Sequence, residues 1–139
     1  MREIIFRGKI DDYDHKWVYG SLLSGGCLEN KVVRILDNET GDEEDVIPDT
    51  VGQFTGDKEF SCDADGNTTA GKKIFDGDIL EIVSKEDGNG IYLVFWNDEI
   101  GGWDWKHLSG AKPSEDYVDE IKAIGNRWDN PEMLKSKVD

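Results

Sequence analysis

Four residues near the centre of the chain are of types that bind calcium, and their spacing decides whether they can do so. Asp63, Asp65, Gly66 and Asn67 would place Gly66 at the sixth position of an EF-hand loop. The twelfth position, which must supply a bidentate carboxylate, is then Lys72, whose ammonium group cannot coordinate a cation. The segment is therefore predicted to be a turn rich in Asp and Gly.

A second pair of carboxylates, Asp76 and Asp78, flanks Gly77. General acid and base catalysis needs two carboxylates that face a shared cleft and titrate at different pH values. Residues two apart across a tight turn are better suited to capping backbone amides. The only histidines, His15 and His107, have no second ligand at metal-binding spacing. The sequence therefore assigns no catalytic residue, no metal and no cofactor.

The chain contains five tryptophans, which is many for 139 residues. Trp96 is predicted to lie in the core, because residues 91–96 are apolar on both faces of a strand. Trp103 and Trp105 alternate with polar residues, so they share one strand face, close to several acids. Two interpretations stay open: they pack against the core, or they form an aromatic binding face for a basic peptide.

The composition limits the classes of partner. Asp and Glu number 31 against 16 Lys and Arg, which gives a formal net charge of -15. Such a chain is repelled by nucleic acid and by anionic membranes. No apolar run approaches the roughly 20 residues that cross a membrane. The two cysteines, Cys27 and Cys62, stand alone in polar surroundings, which predicts a reduced, cytoplasmic protein.

Many short strands separated by Gly, Asp and Asn turns predict an all-β fold in a single domain spanning residues 1–139. Strands and the central motif are expected over residues 1–56, and a polar loop over residues 57–72. Residues 73–139 are expected to form a small SH3-like β-barrel and a short C-terminal helix from Pro131. An N-terminal β-hairpin is expected to pack on this barrel. The individual strands are predicted at residues 3–10, 16–23, 31–36, 45–47, 79–83, 91–96, 103–108 and 121–125.

Four segments carry a resemblance to a known family. They are Arg-Glu-Ile-Ile-Phe-Arg-Gly-Lys at 2–9 with Trp-Val-Tyr-Gly at 17–20, Thr-Val-Gly-Gln-Phe-Thr-Gly at 50–56, Lys-Ile-Phe-Asp-Gly-Asp-Ile at 73–79, and Ala-Ile-Gly-Asn at 123–126 with Asn-Pro-Glu-Met-Leu at 130–134. In this order the chain resembles the YopX family of small phage and prophage proteins. The resemblance implies a mostly-β fold with an SH3-like barrel and an origin in a bacterial mobile element. It implies no particular biochemical activity.

The leading hypothesis is a non-enzymatic interaction module that binds a host or phage protein, which would present a basic surface. One alternative is an acidic decoy that occupies a nucleic-acid-binding protein, and the least favoured is a metal-dependent enzyme. Direct binding to nucleic acid or to a membrane is not expected. Self-association into a homo-oligomer through strand edges or aromatic faces is a further alternative. The candidate binding residues are Trp103, Trp105, Trp17, Tyr19, Gln53, Phe54, Asp76 and Asp78.

Overall fold

The computed structural model describes residues 3–12, 14–24 and 33–134. The chain divides into two compact units, Met1–Phe54 and Thr55–Asp139. In both units the described elements are antiparallel strands and single-turn 3-10 helices. The prediction of an all-β fold is therefore confirmed.

The described part of unit 1 is a meander of four strands, and the beginning of a fifth pairs with the first of them on its other side. Its strands are β1 (Phe6–Lys9), β2 (Trp17–Ser24), β3 (Val33–Asp37), β4 (Glu43–Val46) and the beginning of β5 (Gly52–Cys62), with a 3-10 helix at Pro48–Thr50. The ladder runs β4-β3-β2-β1-β5, so the predicted β1–β2 hairpin is present. Val18, Ile35 and Val46 form a buried cluster because alternating apolar residues of successive strands meet on one face.

The acidic turns use their carboxylates to bind nearby backbone amides. Asp12 Oδ1 accepts hydrogen bonds from the amides of Asp14 and His15, and Asp37 Oδ1 accepts one from Glu39. These contacts satisfy amide groups that the strand ladders leave without partners. Part of the large negative charge thus has a local structural role.

Unit 2 contains the rest of β5 and five further strands. These are β6 (Thr68–Phe75), β7 (Asp78–Val83), β8 (Gly90–Asn97), β9 (Gly102–Gly110) and β10 (Glu120–Asn126), with 3-10 helices at Glu115–Tyr117 and Pro131–Leu134. The ladder runs β5-β10-β7-β8-β9, and β6 pairs with β5 away from this path. The core cluster of this unit consists of Ile74, Leu80 and Val94.

The prediction of a closed SH3-like barrel in unit 2 is wrong. Among the described strands no pairing joins β9 back to β5, so the sheet is open. Sequence neighbours pair in the β7–β8 and β8–β9 hairpins, but β10 returns from the end of the chain to lie between β5 and β7. The order thus depends on pairings between segments far apart in sequence.

The prediction of a polar loop over residues 57–72 is wrong for most of that segment. The segment is a hairpin in which β5 and β6 flank a turn, with Gly66 at a φ of 83°. Asp63 Oδ1 accepts hydrogen bonds from the amides of Asp65 and Asn67 at 2.9 Å, which confirms the predicted turn. Side chains 63–72 are exposed on both faces, so the strands lack the apolar alternation by which strands are usually recognised.

The predicted C-terminal helix is shorter than expected and of a different type. Pro131–Leu134 forms a single 3-10 turn, and residues 135–139 lie outside the described part. The Asn130 side chain, which immediately precedes this turn, contacts the end of β10. Its Oδ1 accepts a hydrogen bond from the amide of Asn126 at 3.2 Å.

The Glu59 carboxylate joins two strands, and this gives a first prediction. Oε1 accepts the Lys72 amide at 2.9 Å and Oε2 accepts the Ala123 amide at 2.7 Å. In the Glu59→Gln variant the side-chain carbonyl oxygen can still accept one of these two backbone amides, but the side-chain NH₂ group faces the other amide and cannot accept its hydrogen bond. We expect the free energy of unfolding to fall by about 1–3 kcal/mol in a urea titration. The same substitution at the exposed Glu86 is the control, and an equal effect at both positions would contradict the bridging role.

Candidate functional site

An apolar groove of about 350 Å³ lies on one face of the unit 2 sheet. Its lining residues are Phe60, Ile82, Tyr92, Trp105, Pro113, Glu115, Val118 and Ile121. Seven of the eight are apolar or aromatic, and Glu115 supplies the single formal charge. A concavity of this kind suits apolar side chains of a ligand held beside a cation.

The floor of the groove follows from the strand register. Ile121 of β10 pairs with Phe60 of β5 on one side and with Ile82 of β7 on the other. Directly paired residues share a sheet face, so these three side chains line up across three strands. Tyr92 of β8 and Trp105 of β9 continue the row, with ring centroids 6.5 Å apart.

The wall of the groove is the connection between β9 and β10, and hydrogen bonds hold it at both ends. The Ser114 amide donates to Asp87 Oδ2 at 2.9 Å. At the other end the Asp119 amide donates to the Val83 carbonyl at 2.8 Å, and Asp119 Oδ2 accepts the Lys85 amide at 2.8 Å. These hydrogen bonds fix the path of the connection over the sheet face.

Tyr92 lines the groove and also contacts the imidazole ring of His107 on the neighbouring strand. Its ring meets the His107 ring edge-on at a centroid distance of 5.2 Å. Burial raises the pKa of the Tyr92 phenol above the usual 10.0, because the phenolate would lose hydration. The raised pKa extends the range in which the phenol is neutral further into alkaline pH.

A prediction about alkaline pH follows from this pKa. Tyr92 keeps its proton in the folded chain at a pH where the unfolded chain has lost it. Its contribution to stability is therefore complete below pH 10.0 and is lost as the pH rises through the folded-state pKa. In a spectrophotometric titration of the folded protein, Tyr92→Phe should move the tyrosinate midpoint to lower pH. An unchanged midpoint would contradict the desolvation of this phenol.

The two tryptophans predicted to form a binding face have different roles. Both are half-buried and pack against the core cluster of Ile74, Leu80 and Val94. Trp105 also lines the groove, whereas Trp103 does not. The Trp103 Nε1 is buried and has no hydrogen-bond partner in the described part of the chain. Both tryptophans therefore pack against the core, and Trp105 is the one of the two that also lies at the groove.

The prediction that Trp96 belongs to the core is wrong. Its side chain is 48% exposed, and its Nε1 donates to Asp98 Oδ1 at 2.9 Å. Its ring meets Trp103 edge-on at 5.2 Å. Trp96 lies next to the β8–β9 turn, where the sheet ends, so an apolar sequence on both faces does not ensure burial.

Four of the predicted binding residues lie in unit 1. Trp17 and Tyr19 are two apart on β2, and the Arg7 guanidinium lies 4.5 Å from the centroid of the Trp17 ring. Gln53 pairs with Phe6 of β1, and Phe54 is buried with its amide donating to the Ile5 carbonyl. None of the four lines the groove of unit 2.

Asp76 and Asp78 occupy the predicted turn between β6 and β7. Asp78 is buried, and its Oδ2 accepts the Phe75 amide at 2.8 Å. This is the predicted amide cap. Asp78 does not line the groove, so its binding role is not supported by its position.

Unit 1 has a concavity of different chemistry, about 520 Å³ in volume. It is lined by Ile10, Asp11, Asp12, Arg34, Glu43, Glu44 and Asp45. Arg34 pairs with Asp45 at 2.8 Å and with Glu43 at 3.9 Å. Within the described ranges, no group of three or more His, Cys, Asp or Glu residues is placed to hold a metal ion.

Sequence reasoning missed most of the groove. Phe60 falls in the segment that the sequence predicts to be a polar loop, and Pro113 and Val118 lie in a connection outside all predicted strands. The available signal was the presence of these apolar residues within an otherwise polar, acidic stretch. Such residues in a connection often cover an apolar surface.

Comparison with known proteins identifies one relationship. A protein-family model described as "YopX protein" matches residues 5–135, which is nearly the whole chain. No curated protein matches the chain significantly. In the described residues no helix is long and apolar enough to span a membrane.

Proposed function

The chain belongs to the YopX protein family, and we propose that it is a phage- or prophage-encoded, non-enzymatic interaction module of the host cytoplasm. In this proposal the groove of unit 2 receives a short segment of a host or phage protein. The segment carries a large apolar side chain next to a lysine or arginine. The observation that supports the proposal most strongly is the aromatic and aliphatic groove with Glu115 in its wall.

The size and lining of the groove favour a side-chain anchor over an extended small molecule. Ligand pockets usually enclose about 300–1,000 Å³, so this groove is at the lower end and suits one or two large side chains. Tryptophan and tyrosine dominate the energetics of protein interfaces because they bury a large area with little loss of conformational entropy. Trp105 and Tyr92 supply that surface.

The charge of the protein supports a cationic neighbour for the anchor. Glu115 lines the groove, and the exposed Asp116 follows it in the same 3-10 helix. The formal net charge of -15 repels acidic segments and raises the association rate of basic ones. Binding should therefore combine a salt-sensitive association rate with a dissociation rate set by the apolar anchor.

A selection from a random peptide library displayed on ribosomes tests this proposal. The immobilised wild-type protein should enrich peptides that combine an aromatic or aliphatic residue with flanking Lys or Arg. A parallel selection on the Trp105→Ala variant identifies peptides that bind elsewhere on the surface, because these are enriched on both proteins. Enrichment of the same sequences on both proteins, or no enrichment on the wild type, would contradict the proposal.

A second candidate, the acidic decoy, is supported by the concavity of unit 1. Five carboxylates surround it, with Arg34 as the single cation among the lining residues. A decoy of this kind would hold the basic groove of a nucleic-acid-binding protein. Its affinity should fall steeply with salt, and charge reversal at Glu44 should weaken it while Trp105→Ala leaves it unchanged. The opposite pattern would favour the interaction module.

A further inference from the structure

Strand β9 presents a long edge in unit 2. It is the last strand of the ladder β5-β10-β7-β8-β9, and within the described residues only β8 pairs with it. The strand is nine residues long. An edge of this length, whose outer backbone groups face no strand, is a template for pairing with another chain.

One hydrogen bond shows which residues face outward along this edge. The Trp105 amide donates to Asp104 Oδ1 at 2.8 Å, and so does not take part in the ladder with β8. In an antiparallel pair the residues alternate between facing the partner strand and facing away. Trp103 and His107 therefore direct their amides and carbonyls outward together with Trp105.

The sequence of the strand is complementary to itself when read in the opposite direction. In an antiparallel pair of two β9 strands centred on Trp105, Asp104 lies directly opposite the partner's Lys106 and Trp103 lies opposite the partner's His107. The two copies of Trp105 face each other. Opposite charges and aromatic pairs directly across an antiparallel ladder are stabilising. A two-fold axis repeats each favourable pair.

We propose that two copies of this chain associate through β9, as an antiparallel pair centred on Trp105. On association the Asp104 carboxylate releases the Trp105 amide and pairs with the partner's Lys106. The freed amides and carbonyls of Trp103, Trp105 and His107 then continue the sheet from one copy into the other. This proposal is independent of the peptide groove, because it uses the edge of β9 and not its face.

The net charge does not prevent this association at physiological ionic strength. Each copy carries a formal charge of -15, but repulsion is screened beyond a Debye length of about 8 Å at 0.15 M salt. Residues directly opposite each other in a ladder are only about 5 Å apart. Raising the salt from low concentration to 0.15 M should therefore strengthen the dimer, which is opposite to the effect expected for a basic ligand.

Charge exchange at two positions tests the proposal by sedimentation equilibrium. The wild type should be a dimer. Lys106→Asp places a second carboxylate opposite Asp104 at both symmetry-related positions. The dimer dissociation constant of this variant should therefore be at least about tenfold higher than that of the wild type. Asp104→Lys should weaken the dimer by a similar factor, because it places two lysine ammonium groups opposite each other. A mixture of the two variants restores both opposite-charge pairs, so it should form one-to-one heterodimers. Lys112→Asp and Asp116→Lys make the same charge changes at exposed sites outside β9 and should leave the dimer intact.

Several results would overturn the proposal. They are a wild type that stays monomeric up to its solubility limit, an undiminished dimer of Lys106→Asp, and a mixture of the two variants that does not associate. Lys106 does not line the groove, so Lys106→Asp should still bind the selected peptides. Loss of the dimer with retained peptide binding separates this interface from the proposed function.

Discussion

Replacing Gly77 with alanine is expected to lower the free energy of unfolding by about 3 kcal/mol, the largest stability effect that we predict. Gly77 has a φ of 85° in the turn between β6 and β7, a conformation that side chains with a Cβ rarely adopt. A Cβ atom there would also lie 2.5 Å from the Trp128 ring. The turn cannot move easily, because the Gly77 amide donates to the Val94 carbonyl and the Gly77 carbonyl accepts the Arg127 amide.

Gly66→Ala is the matched control for this substitution. Gly66 lies in the same unit with a φ of 83°, and a Cβ atom there would meet nothing within 4 Å. It therefore measures the backbone cost alone, about 1–2 kcal/mol. The difference between the two variants in a urea titration isolates the contact with Trp128. Equal losses would show that the ring moves aside without cost.

Trp105→Ala is expected to weaken binding of a selected peptide by about 30-fold or more, which is the effect of losing an interface hot spot. The indole is one of the two aromatic ring systems with a polar group that line the groove, and its centroid lies 6.5 Å from that of the Tyr92 ring. Fluorescence anisotropy of a labelled peptide measures the change. Trp96→Ala is the control, because Trp96 is a large exposed aromatic side chain on a neighbouring strand that does not line the groove. It should change the affinity by less than about twofold.

A second variant keeps this prediction testable if the loss of Trp105 also loosens the core. Glu115→Lys reverses the charge of the groove at an exposed position, so the fold should be unaffected. Binding of a lysine- or arginine-containing peptide should fall several-fold. Asp116→Lys makes the same charge change at the adjacent residue, which does not line the groove. Equal effects of the two reversals would indicate long-range charge alone.

The local elements could be predicted from the sequence because their signals are local. Apolar patterns predict segments that overlap every described strand except β5 and β6. Asp76, Gly77 and Asp78 were understood as a turn, and Asp78 caps the Phe75 amide there. In each case the residues that determine the structure are within a few positions of one another.

The order of the strands could not be predicted in the same way. The position of β10 between β5 and β7 depends on matching surfaces from segments about 40 to 60 residues apart, such as Ile121 with Ile82 and with Phe60. An SH3-like barrel was expected because the order of turns and strands is similar. Among the described strands β9 does not pair back to β5, so the sheet is open instead.

The candidate site was predicted only through Trp105. The groove exists because residues 111–119 pass over the sheet face. Hydrogen bonds that Asp87 Oδ2 and the Val83 carbonyl accept from this connection, and one that Asp119 Oδ2 accepts from Lys85, determine that path. No periodic pattern marks such a connection. The acidic turns illustrate the opposite case, since Asp12, Asp37 and Asp63 bind amides within four residues of themselves and their roles follow from sequence alone.

We propose that the groove of unit 2 holds the apolar anchor of a basic peptide, and a titration of the ¹⁵N-labelled protein with a selected peptide, followed by two-dimensional NMR, tests this most directly. We expect the Trp105 indole signal and the amide signals of Tyr92, Val118 and Ile121 to shift together in proportion to the bound fraction. Shifts confined to Asp11, Asp12, Glu43, Glu44 and Asp45, with the Trp105 indole unchanged, would contradict it and place the ligand in the acidic concavity of unit 1.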